Sequence, residues 1–463
     1  MKLRIAAMAT VVLSAGTLMM SIEGQGNEPA TQLRPTPSLA TLDGELAALV
    51  QDEVHPLASL SVLAVRNGKV VYHKQFGSRQ IDSLTPSNSK PANASTMYRI
   101  ASITKLVTTL GVLRLVEEGK LALDQDVGDY LGYRLRNPHF PDSPITLRML
   151  LTHTSSLRDD GGYYWEAKHA LKDALLPGGP FYGAGAMWAK HAKPGTYFQY
   201  ANLPWGVIGT IMERVSGERF DRLMARLILD RMGMRGGFNP AEFTKSDLDN
   251  TATLYRKATE VNDKYVWDRA GPWVPQVDDY SKVAPLPRAA PDYIIGSNGT
   301  TFGPQGNIRL SAADLGKVML MLINNGLHEG KRILEPQSVD SMLSLQWRYD
   351  STKANGSSAF GTHKELFNGW GLGNQQFQDV TGNGSGDRLV EGGGFKGIGH
   401  LGDAWGLTSA LVFDRAKKNG IIYLIGGPGF DPETNPGRYS AMYRHEEQIL
   451  NAIYKRAIRG DGG

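Results

Sequence analysis

The sequence predicts an α/β protein of the α+β kind. One antiparallel sheet is built from the two ends of the chain, flanked by N- and C-terminal helices, and an all-helical region is inserted between its halves. Two observations carry this: β-rich hairpin patterns stand near both ends, and long helix-periodic segments fill the middle.

At the N-terminal end, Leu42, Leu46, Leu49, Val50 and Val54 recur at helical spacing. Two β-rich runs follow, Ser59–Val65 and Val70–Phe76, on either side of Asn67-Gly68. That dipeptide accepts the two positive φ angles of a tight hairpin turn, so the runs pair. In the middle, Leu106–Glu118 is one amphipathic helix ended by Gly119, and Trp205–Met234 reads as two helices broken near Ser216-Gly217. A further helix spans Ala312–Asn324 with Ser311 as its cap. Pro- and Gly-rich stretches at Leu176–Gly185 and Ala270–Pro291 predict surface loops framing a cleft. Leu407–Phe413 and Ile421–Gly427 form the second hairpin, and a last helix runs from about Tyr439 to Ile458.

The 463 residues suffice for a large core, and 41% hydrophobic with 21% charged residues is an ordinary globular balance. The net charge is +4, with no long run of like charge and no basic-aromatic patch, so nucleic acid is not an expected partner. Lys2 and Arg4 precede an almost uncharged stretch, Ile5–Met20, which reads as a secretory signal peptide within residues 1–26. A permanent span needs about 20 apolar residues, and this stretch contains two Thr, a Ser and a Gly, so no stable membrane anchor is expected. Residues 27–41 read as a Pro-containing flexible leader. The mature protein is expected in the periplasm or the medium of a bacterium. Cysteine is absent, which excludes disulfides, thiol catalysis and thiolate-bound zinc. The histidines show no metal-ligand spacing, and His153 reads as a structural residue at a helix end.

Chemistry enters at "YRIASITKLVTTL", Tyr98–Leu110. Spacing of three places Ser102 and Lys105 on one helix face. A serine hydroxyl is a poor nucleophile until a base takes its proton, and lysine serves only where burial lowers its pKa. The helix N-terminus favours a developing alkoxide and opposes the ammonium. A second copy of the pattern, "SNSK" at Ser87–Lys90, lies in a polar loop with no apolar run behind it, so context singles out Ser102.

Proton transfer to a leaving group needs a third group. "FQYANLPWG" offers Tyr200 and Asn202 just before a helix. A phenol placed between two cations can have a lowered pKa and act as general base or acid. Further on, "GHLGDAWGLTSALVFD" puts His400, Leu401 and Gly402 ahead of a strand, where an extended backbone can pair with substrate. Gly402 permits close approach, making the Asp403 N–H, with that of Ser102, a candidate oxyanion donor.

These segments, with "LLTHTSSL", "PGTYFQYANLPWGVIGTIMERVSG" and "NIRLSAADLGKVMLMLINNG", resemble the signatures of class C β-lactamase-related serine hydrolases, a group that includes penicillin-binding DD-peptidases, D-aminopeptidases and β-lactamase-like esterases. The resemblance covers residues 42–458. It implies a β-lactamase/transpeptidase-like fold with a sheet portion, 42–100 and 300–458, and a mostly helical portion, 101–299. It implies Ser102 as acylated nucleophile, Lys105 as its activating partner, Tyr200 as proton shuttle and Asn202 as a ligand of the substrate carbonyl. His400, Gly402 and Asp403 fall on the substrate-binding strand. No metal or organic cofactor is implied, and the expected partner is a small-molecule or peptide substrate.

Two departures bear on substrate. His400 stands where β-lactamases of this class usually have lysine, and histidine is charged only part of the time at pH 7. Asp403 beside it would repel an anionic substrate. Peptide-type amide hydrolysis, on small or D-amino-acid peptides, is therefore the expected activity, ahead of a carboxylesterase and of a β-lactamase. A silent peptidoglycan-binding relative is the non-enzyme alternative. Ser156 stands where many relatives have Gly, and the loop Asp159–Ala170 offers Tyr163, Tyr164 and Trp165 as cleft-lining aromatics.

Overall fold

The computed structural model describes residues 37–262 and 264–459; the expected signal peptide and most of the leader lie outside them. The chain opens with helix α1 (Pro37–Val50), then the hairpin of β1 (Ser59–Arg66) and β2 (Lys69–Gln80). Helices α2 (Ile103–Glu117), α3 (Leu203–Ser216) and α4 (Ala312–Ile323) follow through the middle. Strands β3 (Ile398–Ala404), β4 (Leu407–Asp414) and β5 (Asn419–Ile425) and helix α5 (Arg444–Ile453) close the chain.

The main sheet has nine strands among the described residues, all paired antiparallel. Its spatial order is Trp347–Arg348, Gly369–Trp370, Gln375–Gln376, β3, β4, β5, β1, β2 and Lys90–Pro91. The C-terminal β5 lies against the N-terminal β1, with Leu60 opposite Ile425 and Val65 opposite Gly420, so the two chain ends share the sheet as expected. The turn between β1 and β2 places Asn67 at φ +52° and Gly68 at φ +75°, as the hairpin signal required.

Because β1 is central, both its faces are apolar. Leu60, Val62 and Ala64 pack with Leu42 and Leu46 of α1 and Ile449 and Ile453 of α5. Leu63 and Val65 face the larger core with Leu315 and Val318 of α4 and Leu106 of α2. Each such fully buried aliphatic side chain contributes about 1.5–3 kcal/mol. The result is a sheet between helical layers, with α2 at the seam where the helical insert meets the sheet.

Helix α2 is buried nearly all round, its buried set including Thr104, Lys105, Thr108 and Thr109 as well as aliphatic residues. A Cβ at Gly111 would stand 2.4 Å from Met224 Sδ, so neighbouring segments press against its backbone. The cap at Ser311 forms as expected, its hydroxyl accepting from Asp314 N at 3.1 Å.

Several boundaries differ from expectation. Helix α1 starts at Pro37, inside the stretch read as leader, because Ser38 Oγ bonds Arg456 O across the molecule. The mostly helical portion also holds two small ladders, Leu254–Arg256 with Val274–Val277 and Ala258–Val261 with Lys264–Trp267. The second of the broken helices, Phe220–Met224, continues in wider and tighter turns to Met232. Helix α5 begins only at Arg444, since the preceding loop gives its N–H groups to Glu447: Arg438, Tyr439 and Ser440 each donate at 3.0 Å. No helix among the described residues is long and apolar enough to cross a membrane.

Candidate active site

The approach to α2 sets the site. Tyr98-Arg99 pairs with Arg309-Leu310, and Ile100 N then bonds Ile308 O. Ala101 turns the chain through φ +48°, a left-handed conformation that a side-chain-bearing residue adopts only when its surroundings hold it there. Ser102 follows as the cap residue of α2, yet its side chain makes no capping hydrogen bond, so the hydroxyl stays available to its neighbours. The alternative copy, Ser87 to Lys90, sits in an exposed turn and an edge strand.

Lys105 is fully buried. Its Nζ donates to Ser102 Oγ at 3.1 Å, to Asn202 Oδ1 at 2.8 Å and to the Gln305 carbonyl at 3.0 Å. Burial lowers its pKa from the ordinary lysine value to about 7, against the opposing pull of Asp159. A substantial fraction of Lys105 is therefore a neutral amine at neutral pH, in contact with the hydroxyl it would deprotonate.

Tyr200 lines the same pocket as Ser102, and the Ser102 hydroxyl is a neighbour that favours its phenolate. The ring lies 4.8 Å from Lys105 Nζ, stacks on Phe367 at 5.1 Å and is tilted against His153 at 4.5 Å. Against the expectation of a lowered phenol pKa, burial among these rings raises it, and Asp159 and Tyr163 add to the shift. Tyr200 is thus a neutral phenol at neutral pH, not a phenolate. His153 is structural, as expected: it sits at φ +56° just past a helix end, and its Nδ1 accepts from Ala201 N at 3.2 Å. Ser156, where relatives have glycine, takes φ +66°, and its hydroxyl accepts from Asn137 Nδ2 at 3.1 Å.

Asn202 is brought to the site with its amide already engaged. Its Oδ1 holds Lys105, and its Nδ2 donates to Asp159 Oδ2 at 2.9 Å. Asp159 also accepts from Asn202 N at 2.8 Å and Leu203 N at 2.9 Å, capping α3. No sequence signal singles out Asp159, which lies in the aromatic loop beside a second aspartate with nothing local to distinguish them. Gln305, the other unforeseen partner of Lys105, acts through its backbone.

On the far side of Ser102, β3 pairs with Gln375–Gln376 only as far as Gly399, so from His400 to Ala404 its outer edge has no strand partner among the described residues. A Cβ at Gly402 would lie 2.7 Å from Ile100 O and 2.5 Å from Ser409 Oγ, which is why only glycine lets the strand approach the turn before Ser102. Gly402→Ala is expected to cost about 1–3 kcal/mol of stability through overpacking. It should also lower kcat/KM roughly 100-fold by shifting the strand against the nucleophile. A thermal midpoint and a kcat/KM equal to wild type would show that the close approach is dispensable.

His400 is 2% exposed, and its Nδ1 bonds the Leu401 carbonyl. Burial and then the nearby Lys105 lower its pKa to about 3. The part-time charge expected of it is therefore absent at pH 7, because the enclosed setting penalises the imidazolium. Asp403 is exposed at the pocket, yet the crowding of protein atoms around it desolvates its carboxyl and raises it above the usual range, an effect its exposure to solvent weakens.

The pocket beside Ser102 is a small one, about 60 Å³. Tyr163, Tyr164 and Trp165 are not among its walls; the first two are exposed, with Tyr163 near enough to Tyr200 to act on its pKa. Phe360, Leu366 and Phe367 form one side, Met442 and Tyr443 another, and His400, Leu401 and Asp403 the strand side. The first two of these walls come from loop segments with no periodic or motif signal. Among the described residues no cluster of side chains could hold a metal ion.

This arrangement can activate a hydroxyl for acyl transfer and accept an extended substrate along β3. The fold is shared with a penicillin-binding protein homologue from Pyrococcus abyssi, TM-score 0.58 at 24% identity over 85% of this chain and 75% of that one. It is shared also with the D-amino acid amidase of Ochrobactrum anthropi SV3 in complex with L-phenylalanine amide, TM-score 0.60 at 16% identity over 90% and 98% of the two chains. Protein flp of Staphylococcus aureus (strain N315) is 28% identical over 179 residues, 38% of this chain. The match spans about a third of that relative's length, 33%. The family model described as Beta-lactamase matches residues 46–442, most of the chain, and the chain belongs to the beta-lactamase family.

Proposed function

We propose that the protein hydrolyses peptide-type amides through an acyl-enzyme on Ser102. The observation that carries this is the fully buried Lys105 ammonium position, 3.1 Å from Ser102 Oγ, with its pKa brought to about 7. Neutral Lys105 takes the Ser102 proton as Oγ bonds the substrate carbonyl carbon. The N–H groups of Ser102 and Asp403 receive the resulting oxyanion. Tyr200 then passes its phenolic proton to the leaving nitrogen and takes back the proton held by the Lys105 ammonium beside it. Water, deprotonated by the same pair, attacks the acyl-enzyme and returns Ser102 to its free hydroxyl.

Asn202 serves to hold Lys105 in place. The neutral His400 favours an amide over a β-lactam, since it offers no fixed positive charge to a carboxylate. An amino acid amidase of the same fold supports the same choice. We place the enzyme outside the cytoplasm, on the strength of Lys2, Arg4 and the apolar Ile5–Met20.

A fluorescent fluorophosphonate is expected to label the wild type covalently and to leave Ser102→Ala unlabelled. Equal labelling of both, or of neither, defeats the proposal. Parallel assays with a D-alanyl peptide, a p-nitrophenyl ester and a chromogenic cephalosporin rank the substrates, and turnover of the cephalosporin alone would reverse the order of amide over β-lactam.

A further inference from the structure

The pocket beside Ser102 is one-sided in its hydrogen-bonding chemistry. Gln375 is fully buried in its wall, and its Nε2 donates to Leu366 O at 2.7 Å. That bond fixes the amide and leaves Oε1, an acceptor, without a partner among the described residues. His400 spends Nδ1 on the Leu401 carbonyl, which makes Nε2 of the neutral ring a lone-pair acceptor, and it too has no partner among the described residues.

Two carboxyl groups line the same space, Asp403 and Glu446. Glu446 accepts from Tyr423 Oη at 2.6 Å and from Tyr443 N at 3.0 Å, which leaves lone pairs over. Asp403 is paired through its backbone with Thr408, while its carboxyl has no hydrogen bond or close ion pair among the described residues. Two donors in the walls are already committed: Tyr443 Oη gives its proton to Glu433 at 3.0 Å, and His363 Nδ1 bonds the Ala441 carbonyl at 2.5 Å. Around these acceptors stand the faces of Tyr200, Phe360 and Phe367.

An open set made of two acceptor atoms and two carboxyl groups, ringed by aromatic faces, matches a ligand that is all donor and positively charged. We propose that this pocket is an ammonium subsite, and that the substrates of Ser102 carry a primary amine a few atoms from the scissile carbonyl, as amino acid amides and peptides with a free N-terminus do. The proposal rests on acyl transfer by Ser102 for the word substrate, and on the pocket alone for the ammonium.

The electrostatics agree. Desolvation is the first cause that raises Asp403, with Glu433 adding to it and His363 and Arg256 opposing; Arg256 is itself stacked on Tyr265 at 4.0 Å. Burial, and Asp403 as a like charge, raise Glu446 to about 7. His363 and Arg256 only partly offset the two carboxyls, and a bound ammonium would add positive charge beside them.

Calorimetry on the full-length wild-type protein tests this without turnover, comparing phenethylammonium with its neutral counterpart 3-phenylpropanol at about pH 8. The ammonium is expected to bind at least about tenfold tighter, the scale of one charge-assisted hydrogen bond. Asp403→Asn and Glu446→Gln should each cut that preference about tenfold while leaving the alcohol's affinity unchanged, which separates lost recognition from lost structure. Equal affinities in the wild type, or a preference untouched in both variants, overturn the subsite. Fluorophosphonate labelling of Ser102 with no ammonium preference would sink the subsite alone. An ammonium preference without labelling would sink acyl transfer and leave the subsite standing.

Discussion

Lys105→Met is expected to lower kcat/KM about 10⁴-fold, the upper range for loss of a general base. The side chain is nearly the same length, so the fully buried site is refilled rather than emptied. Asn202 Oδ1 and the Gln305 carbonyl each lose a donor. The cost to stability is about 1–3 kcal/mol for each group left unpaired, softened because a costly buried ammonium is removed with it. Lys105→Arg is the sharper control. Arginine keeps the charge and the donors but stays protonated at every working pH, so it should be as inactive as the methionine variant. If Lys105 served only as a positive charge beside the oxyanion, the arginine enzyme would keep much of its activity. The pH profile gives an independent check. Wild-type kcat/KM should rise with pH through about 7, because the active form of Lys105 is the deprotonated one and burial has brought its pKa there. A profile flat from pH 5 to 9 would remove Lys105 from the base role.

How much of this is legible in the sequence depends on whether the determinant is local. Asn67-Gly68, the Ser311 cap and the Ser102–Lys105 spacing are short-range signals, and each appears in the structure where the residues place it. The close approach at Gly402 is also readable, since a glycine beside a nucleophile strand has few other uses. The sheet's outer strands, Trp347–Arg348 and Gly369–Trp370, are two residues long and too short to show a period. The start of α5 escapes the sequence because its preceding loop is tied by the carboxylate of Glu447, one turn inside the helix, which no pattern of apolar residues reports. The ionisation of Tyr200 and His400 escapes it for a related reason. Counting nearby charges predicts a lowered phenol and a half-charged imidazole, whereas enclosure by His153, Phe367 and Trp370 decides both. Burial is a property of the assembled fold, and at this site it outweighs the pairwise charges.

Asp159→Asn should produce a variant that is less active yet titrates at lower pH. The carboxylate orients three groups at once: the Asn202 side chain, whose oxygen then meets Lys105, and the N–H groups of Asn202 and Leu203 at the start of α3. An asparagine offers one acceptor oxygen where these donors need two, and its own NH2 would face the amide of Asn202. Stability should fall by about 0.5–2 kcal/mol, the usual worth of a helix cap. The freed Asn202 amide can then turn its NH2 toward Lys105 and repel it from Ser102. A shift of that kind costs about 100-fold in kcat/KM. The electrostatic effect runs the other way. Asp159 raises the pKa of Lys105, so its removal lowers that pKa further and increases the fraction of free amine at neutral pH. With the wild-type pKa at about 7, that fraction can grow no more than about twofold at pH 7, so the geometric loss prevails. The expected signature is a lower plateau of kcat/KM whose acidic limb has moved to lower pH. A limb that stays in place would mean that Asp159 does not act on Lys105, and a plateau equal to wild type would mean that Asn202 needs no anchor.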